Sequence, residues 1–197
     1  MILASHVIIT AYGFWLPNEE RGSWSDFVRN WELLRFGKAT KVETTRSVAH
    51  RPYDRELRRT MRNSLQYPPV KFTGKQALCI AMAFAEQIKK SGFMIYACAI
   101  LPEHTHYVVG RHRYHVDQVT NLLKGAATRN LTRFGMHPMQ DFVQSGKKLS
   151  SPWASGLWKV FLDSHADICR SIDYVNANPT KEGKKKQVWD FVTPYLD

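Results

Sequence analysis

The chain has 197 residues, 44% of them hydrophobic, a length that supports a buried core without disulfide staples. Its 28 Lys plus Arg outweigh 17 Asp plus Glu, giving a formal net charge of +11 that favours a polyanionic partner, either nucleic acid or an acidic membrane surface. Cys79, Cys98 and Cys169 are widely spaced and form no C-x-x-C pair, which argues against a zinc knuckle or a dithiol redox motif.

The three cysteines are expected to be small buried hydrophobes in a reducing compartment. The apolar run from Val7 to Leu16 is interrupted, too short to span a bilayer and without signal-peptide flanks. A soluble, cytoplasmic chain with no membrane partner is expected, associated with the nucleoid if DNA is the polyanion.

Residues 5–12 (SHVIITAY) are rich in β-branched and aromatic types and read as a first strand. Residues 18–70 are irregular and basic, interrupted by Pro52, Pro68 and Pro69, with one short charged helix at 54–65. We read this stretch as an insertion on the main fold. Thr73 to Ser91 reads as a helix, opened by a Thr73–Gln76 capping box and stopped at Gly92. Leu78, Ala81, Phe84, Ala85 and Ile88 supply its apolar face. Phe93–Leu101 and His104–Arg111 flank a Pro102-Glu103 turn and read as a hairpin. A second long helix spans His115–Phe134, a fourth strand Leu157–Leu162, and a third helix Ser164–Ala177, ended by Asn178-Pro179. The tail from about 180 to 197 is basic.

This order predicts an α+β fold: a ferredoxin-like antiparallel sheet with helices on one face and an insertion after the first strand. The whole chain, 1–197, is expected to be one domain.

His104 and His106 lie two residues apart on a predicted strand, so both imidazoles project from one face, roughly 6.5–7 Å apart along the backbone. That spacing lets both reach one metal ion, although two polar residues on a solvated strand face would look the same. On the third helix, Ile168, Ile172 and Val175 define the core stripe. Tyr174 lies roughly 100–120° from that stripe, where a helix borders a cleft, and Asn178 follows one turn later.

These residues carry a resemblance. LPEHTHYVV resembles the HUH signature of single-strand DNA transposases and relaxases. SIDYVNANPTKEG resembles the tyrosine helix of the REP-associated tyrosine transposases, with Tyr174, Asn178 and Pro179 meeting its Tyr-x-x-x-Asn-Pro pattern and Lys181 and Gly183 its continuation. The opening TAYGFWLPNEERGSW is also similar to that family. The resemblance covers most of residues 5–183, and the stretch from about 25 to 70 poorly. Thr105 replaces the usual apolar residue between the histidines, and Glu103 stands where the family often has Asn.

The resemblance implies an HUH-type single-stranded DNA endonuclease and transposase acting on hairpin or repeat DNA. His104, His106 and Asn178 would hold a divalent metal, Mg²⁺ or Mn²⁺ by resemblance, although imidazole ligands alone suit Zn²⁺ equally. Tyr174 would attack a DNA phosphodiester to give a covalent phosphotyrosine on the 5′ side and a free 3′ hydroxyl. Lys124, Arg129 and Arg133 on the second helix, and Arg55, Arg58, Arg59 and Arg62 in the insertion, are candidates for DNA backbone contacts. Trp15 and Trp24 are candidates for base stacking or core packing.

Three rivals stand beside this reading. A two-histidine RNA or nucleotide phosphodiesterase commonly carries paired His-x-Thr/Ser motifs, which the chain lacks. A non-catalytic, domesticated regulator would bind hairpin DNA and leave it uncut. A structural metal site would make no use of Tyr174. Monomer and homodimer both fit the sequence, with Tyr174 serving its own site or a partner's.

Overall fold

The computed structural model describes residues 1–16, 31–36, 54–143 and 148–196. Four strands form one sheet: β1 (Ala4–Thr10), β2 (Ile95–Ile100), β3 (His104–Gly110) and β4 (Trp158–Leu162). Their spatial order is β2-β3-β1-β4, and every neighbouring pair is antiparallel. Helices α1 (Arg55–Asn63), α2 (Gly74–Ser91), α3 (Val116–Arg133) and α4 (His165–Lys181) complete the fold. This is the expected α+β, ferredoxin-like arrangement: β1-α2-β2 and β3-α3-β4 each cross over one intervening antiparallel strand.

Local sequence chemistry sets these elements. Thr73 Oγ1 accepts from the Gln76 backbone N–H, and Gln76 Oε1 accepts from the Thr73 N–H, so the capping box at the start of α2 is complete. Gly92 ends the helix at φ +69°, a conformation that costs other residues a Cβ clash. The β2–β3 turn closes with Leu101 N–H donating to the His104 carbonyl at 2.8 Å.

Alternation along the strands builds two cores. Val7, Ile9, Tyr107 and Val109 face α2 and α3, where Ile80, Phe84, Leu123 and Leu131 are buried against them. Ala4, Ala97, Ala99, Val108 and Leu162 face the other way and pack on Ile168 and Val175 of α4. The expectation of helices on one face therefore holds for α2 and α3 and is corrected for α4. The physical reason lies in the strands, whose apolar residues occur on both parities. Three alanines on the α4 side leave room for a helix to lie close.

Three further readings change. Leu78, counted on the apolar face of α2, is 56% exposed. Cys79 and Cys98 are buried as expected, but Cys169 is exposed. Helix α4 does not stop at Asn178-Pro179; it runs on to Lys181 with Pro179 inside it. The basic tail is tied to the sheet: Gln187 bonds both the N–H and the carbonyl of Ile100 at 2.8 Å, and the Thr193 N–H donates to the Ile95 carbonyl. The tail thus covers the outer edge of β2, which would otherwise present unpaired backbone groups.

In the described part of the insertion, Asp54 caps α1 by accepting from the Leu57 N–H. Met61 and Leu65 then join Leu16 and Leu33 in a small third core beside the loop after β1. Trp24 lies outside the described residues.

Candidate active site

The face of the sheet that carries α4 also carries the histidines. His104 and His106 project from β3 on one side with ring centroids 4.8 Å apart, and both are buried. Thr105 between them is fully buried on the opposite side, as strand alternation requires. Tyr174 reaches this cluster from α4: its ring centroid is 5.8 Å from His106. Although that ring packs beside the histidines, Tyr174 is 45% exposed and open to solvent.

A third histidine belongs to the cluster. His6 on β1 pairs in register with Val108 and lies diagonal to His106. Its Nε2 is 3.2 Å from His106 Nδ1, and its ring meets both Trp158 and Tyr174 edge-on at 5.7 Å. Sequence reading passed over it. The signal was present: Val7 and Ile9 define one face of the strand, so His6 falls on the other. That parity carries weight only once β1 is known to lie beside β3.

Burial disfavours the charged imidazole, and the His6 pKa is lowered to about 4. Between pH 6.5 and about 4 the unfolded chain binds a proton that the folded chain does not, so this group's stabilising share is full above pH 6.5 and falls with pH through that window. The expected loss is up to about 3 kcal/mol. Urea unfolding at pH 7.5 and pH 4 checks it. His6→Phe should narrow the difference between the two pH values, and an unchanged difference would refute the assignment.

The extension of α4 past Pro179 brings a second unforeseen residue. Glu182, eight residues after Tyr174, puts Oε1 3.5 Å from His104 Nε2. Asn178 lies between them on the same side of the helix, one turn from each. It is buried, and its Nδ2 has no hydrogen-bond partner. A buried, unpartnered amide is costly unless something else engages it. Lys181 places its ammonium 4.8 Å from the centroid of the Tyr174 ring. Phe14, from the loop after β1, stacks on His104 at 5.5 Å.

Among the described residues, no group of three or more His, Cys, Asp or Glu is arranged to hold a metal ion. The donor chemistry still suits one: two imidazoles from one strand face, and from α4 a carboxamide whose buried amide lacks a partner. Exchanging the amide's N and O by a half-turn would present an oxygen.

The other candidates are scattered. Glu103 pairs with Lys71 at 2.8 Å. Lys124 donates to the Ala154 and Gly156 carbonyls at 2.9 and 2.5 Å, and burial lowers its pKa to about 8, so it anchors a loop. Arg129 and Arg133 are exposed on α3, across the sheet from the histidines. Arg55, Arg59 and Arg62 are exposed on α1, whereas Arg58 is buried. Arg62 and Lys71 also line a cleft of about 550 Å³ together with Glu103 and Phe14, the residue that stacks on His104. Trp15 is half-buried against Phe14.

No protein-family model and no curated protein matches the chain. Solved structures do. A REP-associated tyrosine transposase bound to a REP hairpin superposes with a TM-score of 0.50 at 14% identity, over 95% of this chain and 73% of that one. A candidate transposase from Deinococcus radiodurans R1 superposes with a TM-score of 0.40 at 15% identity, over 88% of this chain and 91% of that one. A four-stranded antiparallel sheet with two helices on one face and a third on the other, superposing across nearly the whole chain, gives this protein the fold of that REP-associated tyrosine transposase.

Proposed function

We propose that the chain is a metal-dependent single-stranded DNA endonuclease and strand transferase, with Tyr174 as its nucleophile and hairpin or repeat DNA as its substrate. The observation that carries this reading is the convergence of Tyr174, His104 and His106 on one side of the sheet, from segments about 70 residues apart in sequence. That convergence occurs on a fold whose relative binds a REP hairpin.

His104, His106 and Asn178 would hold a divalent ion. When bound, it supplies positive charge to the non-bridging oxygens of the scissile phosphate. The Tyr174 phenol oxygen attacks phosphorus, and the bond from phosphorus to the 3′ oxygen breaks. The phenol gives up its proton and the departing 3′ oxygen takes one up, leaving a 5′ phosphotyrosine and a 3′ hydroxyl. Attack by a 3′ hydroxyl on the phosphotyrosine reverses the sequence and rejoins DNA without a nucleotide cofactor. Lys181, beside the Tyr174 ring, offers a cation where phenolate and phosphate charge develop. The +11 net charge favours a DNA backbone in general, and Arg62 in the cleft beside Phe14 offers it a cation.

The test is incubation with a labelled single-stranded hairpin and Mg²⁺ or Mn²⁺. The expected product is a denaturation-resistant protein–DNA adduct that maps to Tyr174. Hairpin binding with no adduct, across several repeat sequences and both metals, would replace this reading with a non-catalytic hairpin-binding regulator.

A further inference from the structure

The contact between His6 and His106 joins two ring nitrogens, Nε2 of the first and Nδ1 of the second, 3.2 Å apart. The rings are stacked, 5.4 Å between centroids and 28° between planes, and the two residues are 6% and 3% exposed. One proton must sit between the two nitrogens for the pair to bond. The two ways of placing it are not equivalent. If His6 donates, a neutral His106 carries its own proton on Nε2 and offers no lone pair there. If His106 donates from Nδ1, its Nε2 keeps a lone pair.

We propose that His6 is a positioning residue that holds His106 in the Nδ1–H tautomer, so that the His106 Nε2 lone pair is the one presented to a divalent ion. This purpose rests on the metal-site reading above; the direction of the hydrogen bond is a property of the protein alone. The surroundings of His6 suit the task. Trp158 and Tyr174 meet its ring edge-on, and β1 is hydrogen-bonded on both sides, by β3 and β4. The acceptor is therefore held by packing and by a central strand. Metal-ligating histidines are usually oriented by a carboxylate or a backbone carbonyl on the far nitrogen. A neutral imidazole in that position orients the ring without adding negative charge behind it.

The test uses ¹⁵N-labelled, metal-free and DNA-free protein at neutral pH. Long-range ¹H–¹⁵N spectra assign the proton on each imidazole. The expected result is His106 protonated on Nδ1 and His6 unprotonated on Nε2. A proton on His106 Nε2 in the parent protein overturns the proposal, whatever the variants do. In folded His6→Phe, Mn²⁺ affinity should fall about 10–100-fold. His6→Gln keeps an acceptor at the end of a comparable side chain and should recover most of that loss. Parent affinity in His6→Phe, or an equal loss in both variants, refutes the acceptor role. The expected tautomer without any DNA adduct would sink the nuclease reading and leave this inference standing; an adduct with the opposite tautomer would do the reverse.

Discussion

Tyr174→Phe is expected to abolish the covalent protein–DNA adduct, to below about 1% of the parent level, while hairpin affinity changes less than about threefold. The substitution removes one oxygen and keeps the ring. The ring's edge contacts to His6 and His106, and the Lys181 ammonium beside it, are therefore retained. At 45% exposure the lost hydroxyl opens no buried hole, so the variant should unfold at the parent's denaturant midpoint. Gel electrophoresis under denaturing conditions reads the adduct, and fluorescence anisotropy reads the affinity. Adduct persisting in the variant would mean that another side chain is the nucleophile.

His104→Ala should lower the cleavage rate about 100-fold or more and weaken Mn²⁺ binding in parallel. A metal that polarises a phosphoryl oxygen contributes several kcal/mol to the transition state, and each 1.36 kcal/mol is tenfold in rate. Two other effects enter and can be separated. The substitution removes the stacking partner of Phe14, which should cost about 1–2 kcal/mol of stability. It also leaves Glu182 without its contact to the ring. His104→Gln keeps a polar side chain of similar length and should lose rate nearly as fully while recovering much of the stability. Single-turnover cleavage rates and urea midpoints for both variants decide the matter. Rates equal to the parent's in either variant would remove His104 from the metal site.

Most of the fold was legible because its signals are local. Thr73 and Gln76 announce a capping box, Gly92 a helix stop, and alternation through His104–Gly110 a strand. Each needs only a few neighbouring residues to be read. The Tyr174 helix face was legible for the same reason, since its arc follows from 100° per residue. What escaped was long-range. His6 becomes a site residue only because β1 is inserted between β3 and β4, a pairing across 100 residues that no window can contain. The position of α4 on the opposite sheet face escaped because apolar residues on both strand parities show that both faces are covered without telling which helix covers which.

Glu182 escaped through a wrong boundary. Proline disfavours helix for the residue before it, and Asn178-Pro179 satisfied that rule as a stop. The structure overrides it: Pro179 is buried, and the Glu182 N–H donates to the Asn178 carbonyl to continue the turn. Tertiary burial on the sheet outweighed a local preference. One added turn, from Ala177 to Lys181, is what places the Glu182 carboxylate beside His104.

The order in which the site's parts occur along the chain has a consequence for biogenesis. His6 and His106 arrive early, yet the phenol and its helix come only after residue 165. A growing polypeptide can close the β1–β3 pairing well before α4 has been made, because that pairing needs nothing beyond residue 110. Until α4 docks on Ala4, Ala97 and Ala99, the histidines have no phenol opposite them. The proposed cutting activity would therefore switch on late in synthesis, since a nascent or C-terminally nicked chain without α4 lacks both Tyr174 and Asn178.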